Sequence, residues 1–360
     1  MKFGLFYELE VYKESGKTEA QVYHEALEQS ALADRVGFSR IWAVEHHFMS
    51  EYSHCSAPEV FLSAVSQHTK RCRIGTGVIL APFHNPIAVA ERTAVLDILS
   101  KGRLDVGIGR GFQLKEYEAF GVNIEESKAR QLEAIDFLKK AWTETETSFN
   151  GKFWKVPKKI PILPKPVQKP HPPFWFAAVT PSTFETAAQQ DIGCLAGPFK
   201  PMQLVVEDLK LYRKTRKGLG KTDPKTERFS MLIGLHVEKS NEAAQQTAKK
   251  GMLRYFQLLL KFTAPILAKT PDAYKYFGQL PKEIMGKFTA DELESAGMLI
   301  GGDPKHVIEK LEALRQLGFP EIMYFVPVGV LPQQKVMESI QLIGDEVIPH
   351  FADKPAVATY

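Results

Sequence analysis

The chain has 360 residues, 44% of them hydrophobic, and carries 46 basic against 42 acidic side chains for a net charge of +4. That small excess is spread along the sequence, which excludes a basic nucleic-acid-binding stripe, and no uncharged run approaches the roughly 18 residues of a membrane span. Cys55, Cys72 and Cys194 are odd in number and widely spaced, so neither a disulfide framework nor a zinc motif is expected and a reducing, cytoplasmic setting fits. The opening run from Met1 to Tyr7 meets Glu8 too soon for a signal-peptide core.

Eight strands are predicted, at about 2–7, 39–44, 73–80, 104–109, 174–179, 192–197, 229–237 and 321–326, with helical patterns between most of them. The first helix opens at Thr18 with Gln21 in capping-box spacing, carries Tyr23, Leu27 and Ala31 four apart, and stops at Gly37. Leu317-Gly318-Phe319 repeats, before the last strand, the Val36-Gly37-Phe38 ending that precedes the second. Helix, glycine, turn and buried strand in alternation predict a TIM (β/α)8 barrel over residues 1–360, a length such barrels reach with insertions.

Two stretches break the rhythm. Gly151 to Pro173 holds seven prolines and six lysines, which forbids a helix and predicts an extended excursion at 151–173, a domain linker being the alternative. Residues at about 238–300 are far too many for an ordinary strand-to-helix connection. That insertion has an apolar helix with Tyr255, Phe256, Leu258, Leu259, Leu260 and Phe262, then Pro265, Pro271, Tyr274, Tyr276, Phe277 and Pro281. It reads as a lid or substrate wall, or as a segment simply packed on the barrel.

Polar groups at the carboxyl ends of parallel strands converge on one crevice. Glu45-His46-His47 follows the second strand, and adjacent histidines on extended backbone cannot both face it. Nothing has metal-ligand spacing, so no metal is expected; an imidazole oriented by Glu45 or another acid suits proton transfer, and a structural histidine is the bland alternative. Gly107-Ile108-Gly109-Arg110-Gly111 lacks the dinucleotide spacing; its glycines would admit a flat ligand while Arg110 binds phosphate. Val179-Thr180-Pro181-Ser182-Thr183 runs into a helix, offering hydroxyls and amides to an anion, unless Ser182 or Thr183 is a plain N-cap.

Ile41-Trp42-Ala43-Val44-Glu45-His46-His47-Phe48, Ile74-Gly75-Thr76-Gly77, Leu96 to Arg103 and Gly109-Arg110-Gly111, in that order, resemble the bacterial luciferase-like flavin monooxygenase family, in its luciferase α-chain branch. The similarity runs from Met1 through Gly302-Asp303-Pro304 to Val347-Ile348-Pro349-His350-Phe351. It implies a barrel enzyme that uses reduced FMN and dioxygen, through a flavin peroxide, to oxygenate a small apolar substrate such as an aldehyde. By motif, His46 matches the catalytic histidine, with Glu45 and His47 beside it. Arg110, Thr180, Thr183 and the Val179 amide match the phosphate cradle, and Gly77-Val78 a cis peptide against the flavin ring.

The branch has cysteine where this chain has Gly109 and an acidic residue where it has Val179, so light emission is not expected. One barrel and one insertion with no convincing nicotinamide fingerprint predict a separate flavin reductase. The resemblance suggests a homodimer through the helices after strands two and three, where Ala57, Val60, Phe61, Ala64 and Val65 form an apolar stripe that could equally be the helix face covering the barrel. A deazaflavin-dependent dehydrogenase of the same superfamily and a non-catalytic flavin-binding subunit are the alternatives.

Overall fold

The first and last strands foreseen from the sequence lie side by side, Lys2–Phe6 against Glu321–Phe325 in parallel, and that contact helps to close the sheet on itself. The computed structural model describes residues 1–197, 202–223, 226–269 and 289–352. Its strands are β1 (Lys2–Tyr7), β2 (Arg40–Ala43), β3 (Arg73–Thr76), β4 (Ile79–Leu80), β5 (Leu104–Gly109), β6 (Thr147–Asn150), β7 (Lys155–Ile160), β8 (Phe174–Ala178), β9 (Gly193–Ala196), β10 (Phe229–Val237), β11 (Leu299–Gly302) and β12 (Glu321–Phe325). The main helices are α1 (Glu19–Val36), α2 (Pro58–His68), α3 (Pro86–Leu99), α4 (Leu114–Phe120), α5 (Ser127–Thr143), α6 (Pro181–Gln190), α7 (Met202–Gly218), α8 (Asn241–Lys269), α9 (Ala290–Ser295), α10 (Pro304–Gln316) and α11 (Gln333–Leu342).

The ring runs β1-β2-β3-β5-β8-β9-β10-β12 and returns to β1, all parallel: a TIM barrel. The predicted third strand, 73–80, is two pieces: β3 ends before the cis Gly77-Val78 bond and β4 continues along β5. β11 was not foreseen; it pairs with the outer half of β10. Its Gly301 has α8 against it, where a β-carbon would stand 2.7 Å from that of Ala248.

Local chemistry explains the boundaries. Thr18 and Gln21 form the expected capping box, each side chain accepting from the other's amide. Gly37 (φ 104°) and Gly318 (φ 101°) both take the left-handed conformation that ends a helix. The buried face of α1 is Val22, Ala26 and Ala33 rather than the expected Tyr23, Leu27 and Ala31, which are half-buried. Tyr23 instead meets α2, edge-on to Phe61 with ring centroids 5.8 Å apart.

The lysine- and proline-rich excursion begins as an antiparallel hairpin, β6 with β7. It then returns along α3, where the Gln168 amide and side chain donate to the Asp97 carboxylate at 3.0 and 2.7 Å. In the insertion, α8 buries Tyr255, Phe256, Leu258 and Leu259. Pro271, Tyr274, Tyr276, Phe277 and Pro281 lie outside the described residues, as do the side chains around Pro265.

Inside the barrel the floor is charged. Arg40 on β2 donates to Asp105 on β5 at 2.9 Å and also pairs with Glu321 on β12, while Arg73 on β3 reaches Asp105 at 2.8 Å. Burial would raise the pKa of Asp105, but Arg40 and Arg73 hold it below the usual range. For Glu321 burial wins and the pKa is raised. Above this layer Trp42 and Trp175 meet edge to face, 5.1 Å between centroids.

The glycines of β5 serve this packing. A β-carbon on Gly107 would lie 2.0 Å from the Thr76 carbonyl oxygen, and one on Gly109 would lie 2.2 Å from Cγ2 of Val78. Backbone and a valine thus pack where a β-carbon would stand, and Gly109 still borders the space at the strand ends.

Replacing Arg40 with methionine leaves Glu321 buried without its guanidinium and Asp105 with Arg73 alone, and urea denaturation is expected to show a loss of about 3–5 kcal/mol. Gly109→Ala should cost about 1–3 kcal/mol by overpacking, with Val78→Ala recovering part of it in a double-mutant cycle read by thermal unfolding. Simple additivity of the two changes would mean that Val78 is not what the new methyl meets.

Candidate active site

Because every barrel strand points the same way, their carboxyl ends present side chains to one rim. β1 delivers Glu8, β2 delivers Val44, Glu45 and His46, β5 delivers Arg110, and β8 leads through Val179 to Thr180 and Thr183. All of these, with Gly77 and Val78, line one cleft, walled also by Phe6, Tyr52, Phe112, Tyr255 and Met323. His47 and Ser182 are not part of that lining.

The two histidines part ways, His46 lining the cleft and His47 lying outside that lining. The His46 amide donates to the Cys55 carbonyl at 2.9 Å, and its ring stands edge-on to Tyr52 and Phe112 at 5.6 and 5.4 Å. Its Nε2 is 3.7 Å from Oε2 of Glu8, and its Nδ1 is 3.8 Å from Oε1 of Glu116 on α4. Burial pulls the imidazole pKa down, but the charges of Glu8 and Glu116 outweigh it and the pKa is raised. Glu8, itself buried, is pushed up to about 7.

His47 sits behind this pair. Its Nε2 is 2.9 Å from Oε1 of Glu45, and its amide donates to Glu116 at 2.9 Å. Glu45 also meets His84 Nε2 at 2.6 Å and accepts from the Leu80 amide at 2.9 Å. Burial would raise the Glu45 pKa; the hydrogen bonds from His47, His84 and Leu80 and the His84 charge instead hold it at about 2. Glu45 thus anchors the turn through His47 and His84, and the acids that face His46 are Glu8 and Glu116.

Sequence reasoning passed over Glu8, Glu116 and Tyr52, and had Tyr255 only as part of the apolar helix of the insertion. Glu8 was findable, because it follows β1 just as Glu45 and Arg110 follow theirs. Glu116 and Tyr255 come from helices whose rotation no local pattern reveals.

At the other polar group of the cleft, Thr180 is the N-cap of α6, with Pro181 in its first turn, so neither Ser182 nor Thr183 is the cap. The Thr180 hydroxyl makes no capping bond to the helix; it lies 2.9 Å from that of Thr183 and 3.1 Å from that of Ser182, which is exposed. A guanidinium, two hydroxyls and a helix start facing one space form a donor set suited to a phosphate monoester, so the residues present fit a flavin mononucleotide. Among the described residues no helix is long and apolar enough to cross a membrane.

The luciferase-like monooxygenase family model matches residues 1–321. The chain is 30% identical over 373 aligned positions to the oxygenase component of a flavin-dependent trigonelline monooxygenase from Acinetobacter baylyi, covering 98% of this chain and 96% of that one. Among solved structures, the monooxygenase RslO1 from Streptomyces bottropensis superposes with a TM-score of 0.84 at 27% identity, covering 98% of this chain and 100% of its own. The oxygenating constituent of 3,6-diketocamphane monooxygenase from Pseudomonas putida, solved with FMN, shares the fold with a TM-score of 0.80 at 18% identity, over 97% and 98% of the two chains. A barrel whose strand ends gather a histidine, an arginine and a phosphate-suited helix start, matched over nearly its whole length, belongs to the luciferase-like monooxygenase family, and the protein is a flavin-dependent monooxygenase.

Proposed function

We propose that the cleft takes reduced FMN from a separate reductase and uses dioxygen to oxygenate a small apolar organic substrate such as an aldehyde. The observation that carries this reading is that Arg110, Val179, Thr180 and Thr183 line the same cavity as His46, Gly77 and Val78. Bound flavin supplies the electrons and the oxygen-activating ring. The chain supplies the rest. Arg110, the Thr180 and Thr183 hydroxyls and the α6 amides hold the phosphate, with Ser182 supporting Thr180. Gly77 and Val78 offer a small, apolar floor. Tyr52, Phe112 and Tyr255 shield the space from water, with α8 as its outer wall. His46 holds and moves a proton, while Glu45 and His47 fix the turn that carries it.

The assembly follows the surface. Phe61 and Val65 of the expected stripe are buried against the barrel, whereas Val60 is 68% exposed. On α3 nearby, Val95, Ile98 and Leu99 are exposed as well. These exposed apolar side chains on α2 and α3 support the reading that two copies pair through these helices in a cytoplasmic homodimer.

Anaerobic titration with reduced FMN and with a reduced deazaflavin, followed by oxygen uptake with aldehydes, tests the coenzyme. Tight deazaflavin binding without an FMN response would replace the monooxygenase chemistry by hydride transfer. Arg110→Ala should weaken reduced-FMN binding by about 1.5–3 kcal/mol with circular dichroism unchanged, the scale of a lost charge-assisted hydrogen bond. The pair Val60→Glu and Ile98→Glu is expected to elute as a monomer in size-exclusion chromatography; unchanged elution would move the interface elsewhere.

A further inference from the structure

We propose that Glu8 and His46 are one acid–base unit, in which Glu8 is the positioning residue that keeps His46 protonated, so that the imidazole serves the cavity as a proton donor. The proposal rests on the reading of this cleft as the reaction site.

Glu8 is 2% exposed, and its two oxygens have different surroundings. Oε1 receives the Tyr255 hydroxyl at 3.3 Å, and Tyr255 in turn receives that of Tyr52 at 3.2 Å. Oε2 is buried without a hydrogen-bond partner and is the atom facing His46 Nε2. The tyrosine rings stack at 5.3 Å between centroids, so this chain of hydroxyls fixes one carboxylate oxygen and leaves the other for the imidazole.

On the far side of the ring, Glu116 is fully buried; its Oε1 is engaged by the His47 amide and its Oε2 has no partner. Two buried carboxylates therefore flank one imidazole, and opposite charges at such range favour its charged form. Neither separation, 3.7 or 3.8 Å, is short enough for a hydrogen bond. The carboxylates supply charge without fixing the proton in a bond of their own.

The other titratable groups around the unit do not replace it. Glu45 is committed to His47 and His84. Glu10 accepts from the Gly329 amide, and burial pushes it up to about 8. Burial also raises Tyr12, Tyr52, Tyr255 and the Cys55 thiol, leaving them neutral at physiological pH. Arg254 is engaged with Glu51. In the step itself an imidazolium N–H bond breaks, the proton bonds to an acceptor atom of the molecule in the cavity, and His46 is left neutral until solvent returns a proton.

The sign of the pH dependence follows. A raised His46 pKa keeps the donor form up to a higher pH, so activity should fall on the alkaline side, and removal of Glu8 should bring that fall to lower pH. The test is a histidine ring NMR titration of the flavin-free protein, with His46→Asn to assign the signal. In the wild type His46 should titrate above the ordinary 6.5. In Glu8→Gln its pKa should fall by about one to three pH units, and the alkaline limb of kcat should move with it. Tyr255→Phe, which removes the hydroxyl that favours ionised Glu8, should lower it less; this variant decides the matter if Glu8→Gln does not fold. A His46 pKa unchanged by these replacements would overturn the unit. Reduced-FMN affinity is titrated separately: its absence, with the His46 shift intact, would sink the flavin reading and spare this one.

Discussion

Arg40 determines much of what the barrel can be. Its guanidinium joins β2 to β5 and β12, with Arg73 of β3 on the same Asp105, so four strands are tied together at one end of the interior. Burying these charges costs more than burying hydrocarbon, and the arrangement holds only while each carboxylate keeps a cation. The gain is specificity of register, because slipping any strand by one residue would send its charged side chain to the other face.

This floor also sets the shape of everything above it. Arg40 lies under the Trp175 ring, 5.0 Å from its centroid, and Trp42 crosses Trp175. A β-carbon on Gly75 would stand 2.2 Å from the Trp42 ring, so the indole occupies space that only glycine leaves open. With charge below and indoles above it, the lower half of the barrel is filled. The cleft can form only at the carboxyl ends of the strands, which is where their polar residues collect.

The rim then divides the work by charge. Arg110, Thr180 and Thr183 make a donor set for an anion, whereas Glu8 and Glu116 surround His46 with negative charge. Glu45, bound by His47, His84 and Leu80, is held ionised and acts as the rivet between the turns after β2 and β4. An acid held near 2 and another raised to about 7, on strands that are neighbours, show how hydrogen bonds and burial assign different work to the same side chain.

What could be read from the sequence was what local chemistry decides. The cap at Thr18, the glycine endings at Gly37 and Gly318 and the strand runs depend on residues within a few positions of each other, and they stand where expected except that the third run is broken at Gly77-Val78. That His46 and His47 would not both enter the crevice followed from the alternation of extended backbone; the choice of His46 came from the motif resemblance, and the cleft lining agrees with it. The remaining features needed the third dimension. β11 is four residues with two glycines, a strand only because β10 is long enough to pair with it. Val78 filling the space beside Gly109 joins residues from two strands. The group around His46 is gathered from positions 8, 52, 116 and 255; its charge state depends on distances between strand ends and helix faces, and those exist only after the barrel has closed.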